Sequence, residues 1–242
     1  MEQKKKKQTP LGELHHRDAV QKGQVEMLMT TTSRFRLSMS EEEMIASIKR
    51  AIEETVKVRG FTYSSLGSED ERINALLARF LLRRDYHTGF MFWGKPGTGK
   101  TIRMKSVYAL IESFFETIPV LGYSVKYQIA DDLVYPYATI ESLQKLYAVD
   151  LLILDNLGYE RGAGENIRLA QSLIGELLLK RYDAVRPTVI SSVFDIDNIG
   201  EVYGSRVADI IRESYYVMEL TTDFRSEIIK ARKSNNFQNY EN

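Results

Sequence analysis

Between residues 40 and 85 apolar positions recur every three or four residues, and beyond residue 88 they run together in short blocks. The first pattern predicts helices. Met44, Ile45, Ile48, Ile52 and Val56 share one face behind a capping box of Ser40 with Glu43, and Gly60 is the stop. Ser68 with Glu71 opens a second helix whose apolar side carries Ile73, Leu76, Leu77, Phe80 and Leu81. The second pattern predicts strands buried on both faces: Gly89-Phe90-Met91-Phe92-Trp93, Leu151-Leu152-Ile153-Leu154 and Pro187–Ser192. Val125–Ala130 and Tyr216–Leu220 are further strands, with helices expected over Thr101–Ile118, Ile140–Leu146, Asn166–Tyr182 and Ser205–Glu213. This alternation implies right-handed crossovers and an α/β fold whose mostly parallel sheet is sandwiched by helices. The expected layout is a basic, helical N-terminal appendage over residues 1–60, a core over 61–233 and a flexible, Asn-containing tail over 234–242.

Composition removes several classes of chemistry. The 242 residues include no cysteine, which excludes disulfides, thiolate nucleophiles and iron–sulfur clusters. The three histidines, His15, His16 and His87, leave a catalytic zinc without its usual ligands. No apolar run reaches the ~18 residues of a membrane span, and Met1-Glu2-Gln3-Lys4 leads into no hydrophobic signal segment. The expectation is a cytoplasmic protein with no membrane partner. The formal charge is zero, yet residues 1–36 hold eight Lys/Arg against four Asp/Glu. Lys4, Lys5, Lys6 and Lys7 fit a solvated tail that keeps the chain soluble, with phosphate contact as the alternative.

The chemistry centres on Gly94-Lys95-Pro96-Gly97-Thr98-Gly99-Lys100-Thr101, which fits G-x-x-x-x-G-K-[ST] in full, after a buried strand and before a helix. Glycines let successive backbone N–H groups turn inward on a β-phosphate, and the helix that follows adds its positive end. Lys100 can then bridge β- and γ-oxygens of ATP, and the Thr101 hydroxyl can coordinate Mg2+. Asp155, delivered at the end of a buried strand, is the expected partner on magnesium. Its spacing of 55 residues from Lys100 leaves room for an intervening strand, which favours additional-strand ATPases over nucleotide kinases. The next position, where such ATPases carry an acid, is Asn156. An amide positions water but takes no proton from it. Glu160 is the alternative acid if its loop folds back; otherwise it is an exposed loop residue.

The P-loop, Leu152-Ile153-Leu154-Asp155-Asn156-Leu157-Gly158-Tyr159-Glu160, Arg186-Pro187-Thr188-Val189-Ile190-Ser191-Ser192 and Tyr203-Gly204-Ser205-Arg206 together resemble AAA+ ATPases of the helicase-loader (DnaC/DnaI) and transposition-helper (IstB) type. The resemblance covers residues 70–228. It implies an AAA+ core, ATP-dependent homo-oligomers, DNA as a ligand, and a replicative helicase or a transposase as protein partner. It puts Ser191 and Ser192 at the place of the γ-phosphate sensor, with Ser192 as the sensing residue, and has Arg225 contact that phosphate. Departures from the family pattern are Asn156, Val193 in place of an Asn, and Ile210 in place of the trans-acting arginine, for which Arg206 or Arg212 is the substitute.

The function expected is therefore an ATP-binding assembly factor on DNA with slow hydrolysis, residues 1–60 docking the partner. The alternatives are a non-hydrolysing ATP-bound adaptor or inhibitor, and a small-molecule kinase, for which no basic lid or acceptor-binding Asp-Arg pattern is found. Candidate nucleic-acid contacts are Arg103, Lys105, Lys126, Tyr127, Tyr159, Arg161 and Arg168, aromatic–basic mixtures suited to stacking plus phosphate contact.

Overall fold

Ser40 and Glu43 form the anticipated capping box: the Ser40 hydroxyl accepts from the Glu43 N–H at 3.1 Å, and the Glu43 carboxylate accepts from the Ser40 N–H at 2.8 Å. They start α1 (Glu41–Lys57). In the computed structural model, which describes residues 37–58, 60, 68–117, 123–134, 140–161 and 164–224, the remaining elements follow in chain order. They are α2 (Ser68–Leu81), β1 (Gly89–Trp93), α3 (Lys100–Thr117), β2 (Val125–Ile129), a 3-10 turn (Ala130–Leu133), α4 (Ile140–Ala148) and β3 (Leu151–Leu157). After these come α5 (Glu165–Asp183), β4 (Thr188–Ser192), α6 (Ile196–Tyr203), α7 (Ser205–Ser214) and β5 (Tyr215–Glu219). The helix α6 has no counterpart in the apolar periodicity. It starts from the Asp195 carboxylate, which accepts from the Asn198 N–H at 2.9 Å.

Among the described residues the five strands form one parallel sheet in the order β2-β3-β4-β1-β5. Strand alternation divides the apolar side chains between two cores. Phe90, Phe92, Leu151, Ile153, Val189 and Met218 face α1, α2 and α3. Met91, Leu152, Leu154 and Ile190 face α4, α5, α6 and α7. Burial on both faces accounts for strands that are apolar throughout. The helix α1, which the sequence layout assigns to an appendage, spends its apolar face on the first core: Met44, Ile48, Ala51 and Ile52 are buried there. Residues 1–36 and 225–242, with Lys4–Lys7, Arg225 and the tail, lie outside the described residues. Among the described residues no helix is long and apolar enough to cross a membrane.

One cation is used as a structural staple. Arg181, on α5, is fully buried. Its guanidinium donates to the carbonyls of Leu146 and Val149 at 2.8 Å and of Pro187 at 2.6 Å, and to the Thr188 hydroxyl at 2.9 Å. Carbonyls at the end of α4 are thereby satisfied by a cation, the sign that a helix C-terminus favours. Burial lowers the pKa of this guanidinium. Arg181→Leu strands several buried acceptors at ~1–3 kcal/mol each, so a loss of at least about 3 kcal/mol is expected in urea unfolding. Arg181→Lys, with one ammonium for four acceptors, recovers only part of it.

Candidate nucleotide-binding site

The topology opens a crevice between β1 and β4. From β1 the chain runs through α3 to β2 at the far edge, whereas from β4 it runs through α6 and α7 to β5 on the other side of β1. Connections leaving in opposite directions make a switch point, where the strand C-termini of an open α/β sheet take ligands. The loop Gly94–Gly99 follows β1 at this point. Gly94, Gly97 and Gly99 have φ of 143°, 95° and 86°, which only glycine adopts without strain. A Cβ on Gly94 would lie 2.4 Å from the Leu220 carbonyl oxygen. The Thr98 hydroxyl donates to the Lys95 carbonyl at 2.9 Å. Lys95 and Pro96 are exposed on the loop. Lys100, the first residue of α3, is buried, and its ammonium donates to the Gly94 and Lys95 carbonyls at 2.5 and 2.8 Å. Burial lowers its pKa, and Asp155 opposes that.

Asp155 is fully buried on β3. One carboxylate oxygen accepts from the Ser191 hydroxyl on β4, the other from the Tyr127 hydroxyl on β2 at 2.5 Å. The Asn156 N–H donates to Ser191 Oγ at 3.0 Å, and the Thr101 hydroxyl donates to Asn156 Oδ1 at 3.5 Å. A register shift between Leu154 and Leu157 marks a bulge here, with Asn156 at φ 69°. Asn is among the few non-glycine residues that tolerate this left-handed backbone. The extra residue reverses the alternation: Ile153 packs toward α3, but Leu157 falls in the opposite core.

Magnesium fits the donors gathered here. The Thr101 hydroxyl, the Asp155 carboxylate and the Asn156 amide oxygen are hard oxygen ligands. Thr101 and Asp155 would hold the ion, which would neutralise the charge of a bound triphosphate. Among the described residues no group of three or more His, Asp or Glu could cage a metal. The remaining ligands would come from phosphate and water, as magnesium prefers.

Other expected site residues are distributed differently. Alternation along β4 turns Ser191 to Asp155 and Ser192 to the other face. There the Ser192 hydroxyl donates to the Leu157 carbonyl at 3.3 Å and accepts from the Phe194 N–H at 2.8 Å. The loop of Glu160 does fold back, but onto α6: its carboxylate accepts from the Tyr203 hydroxyl at 2.6 Å and from the Gly158 N–H at 3.1 Å. Burial, then Glu160, pushes the Tyr203 phenol pKa upward. Arg206 is exposed on α7, 3.9 Å from the exposed Asp183. Arg212 is held by Asp197 and Asp209, and Ile210 is buried in the core.

Two of the residues expected to meet nucleic acid are engaged within the fold. Arg103 is buried against Asp70 and Asn74 of α2, because its position on α3 is one turn from Val107 on the core-facing side. Tyr127 belongs to the Asp155 network. Arg161 pairs with Asp131, while Lys105, Lys126, Tyr159 and Arg168 are exposed. Neither Ser191 nor Tyr127 stands out as a ligand to Asp155 in the sequence. The alternation of Val189, Ser191 and of Val125, Tyr127 with the buried parity of β3 is the signal that locates both.

No protein-family model matches the chain, and neither does any curated protein. Its fold is similar to several solved structures. AMPPCP-bound DnaA from Aquifex aeolicus is 20% identical with a TM-score of 0.51, over 70% of this chain and 53% of that one. Domain III of the Thermotoga maritima replication initiation protein DnaA is 17% identical with a TM-score of 0.51, over 65% and 64%. The DnaC helicase loader is 19% identical with a TM-score of 0.50, over 65% of this chain and 93% of that one. The chain thus spans about half the length of the first DnaA and under two thirds of the second. At these identities the likeness is one of fold, a parallel α/β sheet covered by helices on both faces, and it agrees with the fold expected from the motifs.

Replacing Ser191 by Ala removes a donor from buried Asp155 and an acceptor from the Asn156 N–H. A loss of about 1–3 kcal/mol is expected, read as a lowered midpoint in urea unfolding.

Proposed function

We propose that this chain is an ATP-binding assembly factor of the helicase-loader type, acting on DNA in replication and hydrolysing its nucleotide slowly. The observation that carries the reading is the split between binding and hydrolytic groups. The phosphate loop, Lys100, Thr101 and Asp155 converge at the switch point, while the next position offers an amide within reach of Thr101. Glu160, the nearest alternative acid, is tied to Tyr203 and Gly158. An amide orients water without accepting its proton, and a positioned general base is worth ~10²–10⁴ in rate.

Nucleotide in such a protein acts by stabilising one assembly through differential affinity. Ser191, rather than Ser192, is the hydroxyl suited to report the γ-phosphate, because it touches Asp155 and Asn156 directly. Arg206 is the better candidate to complete a neighbour's site: its one exposed ion pair is weak, whereas Arg212 has two partners. Arg225 is kept as a γ-phosphate contact on the motif resemblance alone. Replication is favoured over transposition because the similar solved structures are a helicase loader and a replication initiator. A replicative helicase is accordingly the proposed protein partner.

The test is steady-state ATP turnover across a protein concentration series, with and without single-stranded DNA. The wild type is expected to turn over slowly, faster at high concentration and with DNA. Asn156→Asp, a residue that tolerates the same positive φ, is expected to raise the rate by about tenfold or more. A variant no faster than the wild type contradicts the placement of the deficit at Asn156.

A further inference from the structure

At the other end of the sheet, before β1, an aromatic ring is held in place yet left open. Tyr86 is 75% exposed. Its ring stacks on His87 at 4.3 Å and 24°, and His87 stacks on Tyr216 of β5 at 3.7 Å and 21°. Asp85 fixes the pile: its carboxylate accepts from the His87 N–H at 3.0 Å and from the Tyr216 hydroxyl at 2.5 Å, and lies 3.1 Å from His87 Nδ1. The Arg83 guanidinium donates to the His87 carbonyl at 2.8 Å. A ring ordered in advance loses little freedom when a flat ligand settles on its outer face.

Charge is concentrated at the same edge. Residues 72–87 contain four arginines and one acid, in a chain of zero formal charge, and that acid, Asp85, is occupied within the stack. Arg72 reaches the Met218 sulfur at 3.9 Å, and Arg79, two turns further along α2, is exposed like it. Seven residues, two helical turns, bring Arg72 and Arg79 to one face of α2, and the chain continues through exposed Arg84 to Tyr86, so the cations form a row leading to that ring. Arg84, exposed, donates to the Met39 carbonyl at 3.4 Å and keeps its other donors. Among the described residues no ion pair engages Arg72, Arg79 or Arg84.

We propose that this edge binds single-stranded DNA, with a base stacked on Tyr86 and phosphates met by Arg72, Arg79 and Arg84. A row of cations ending in an open aromatic face is what strand binding without sequence preference requires, and a paired base offers no free face. The proposal rests on the DNA-directed reading above, and it places the stacking ring at the opposite end of β1 from the phosphate loop, with Arg72 at the level of Phe92, nearer that loop.

The test is fluorescence anisotropy of a labelled oligothymidylate with the full chain, without nucleotide, over a range of salt, against a duplex of equal length. Tyr86→Ala is expected to weaken strand binding roughly tenfold and Tyr86→Phe to retain it. Arg79→Ala with Arg84→Ala is expected to flatten the salt dependence by ~0.7 per lost contact. Strand binding unaltered in Tyr86→Ala overturns this site and leaves the DNA-directed reading standing. No strand binding by the wild type, or a preference for duplex indifferent to Tyr86, overturns the proposal, and the first of these removes the DNA-directed reading as well.

Discussion

A carboxyl group that water does not reach has to find its hydrogen bonds inside the fold, at a cost of several kcal/mol if it fails. Asp155 is in that position, and the elements around it are arranged to meet the need. Strand β4 lies between β1 and β3 and brings Ser191 to one oxygen; the edge strand β2 brings Tyr127 to the other. The Lys100 ammonium is an opposing charge that Asp155 acts on, and it is itself held by loop carbonyls. The order of the strands is therefore part of the site's electrostatics. With β3 directly beside β1, Ser191 would have no place between the phosphate loop and the carboxylate.

The bulge after Asp155 links this network to the chemistry. One extra residue lets the carboxylate face α3 while Leu157 still packs into the opposite core, and it requires a left-handed backbone at position 156. Asn satisfies that backbone and puts an amide oxygen near Thr101. The same residue that suits the geometry lacks the basicity that rapid hydrolysis needs. On the proposed reading, binding and turnover are separated at this one position. Beyond it, Gly158 closes the turn at φ 90° against Val193 and Phe194, where a Cβ would meet Val193 at 2.6 Å. Glu160 is thereby carried to Tyr203 and away from service as a base.

Much of the architecture was legible in the chain. Continuous apolar blocks identified the buried strands, and the glycine–lysine motif between β1 and α3 identified the phosphate loop, because both depend on local composition. The helix α6 was missed: its eight residues are too few for a periodic face, and its start depends on one side-chain cap at Asp195. The pairing of Arg103 with Asp70 joins residues 33 apart. Read along the chain, that arginine looks like a surface cation beside the phosphate loop. Choosing Ser191 over Ser192 required knowing the parity of β4 against β3, which the bulge then reverses beyond Asp155. Tyr86 and His87 carried no signal as a pair, since only the fold brings Tyr216 beneath them.

On the proposed reading, the converged loop, Lys100, Thr101 and Asp155 make a nucleotide site that holds ATP with magnesium. Titration calorimetry of ATP with magnesium into the wild type and into Lys100→Ala, both shown to be folded by circular dichroism, tests it most directly. Saturable binding at one site per chain is expected in the wild type, weakened when magnesium is withheld, and binding is expected to be lost in Lys100→Ala. Equal binding by the two proteins, or none by a folded wild type, would contradict it.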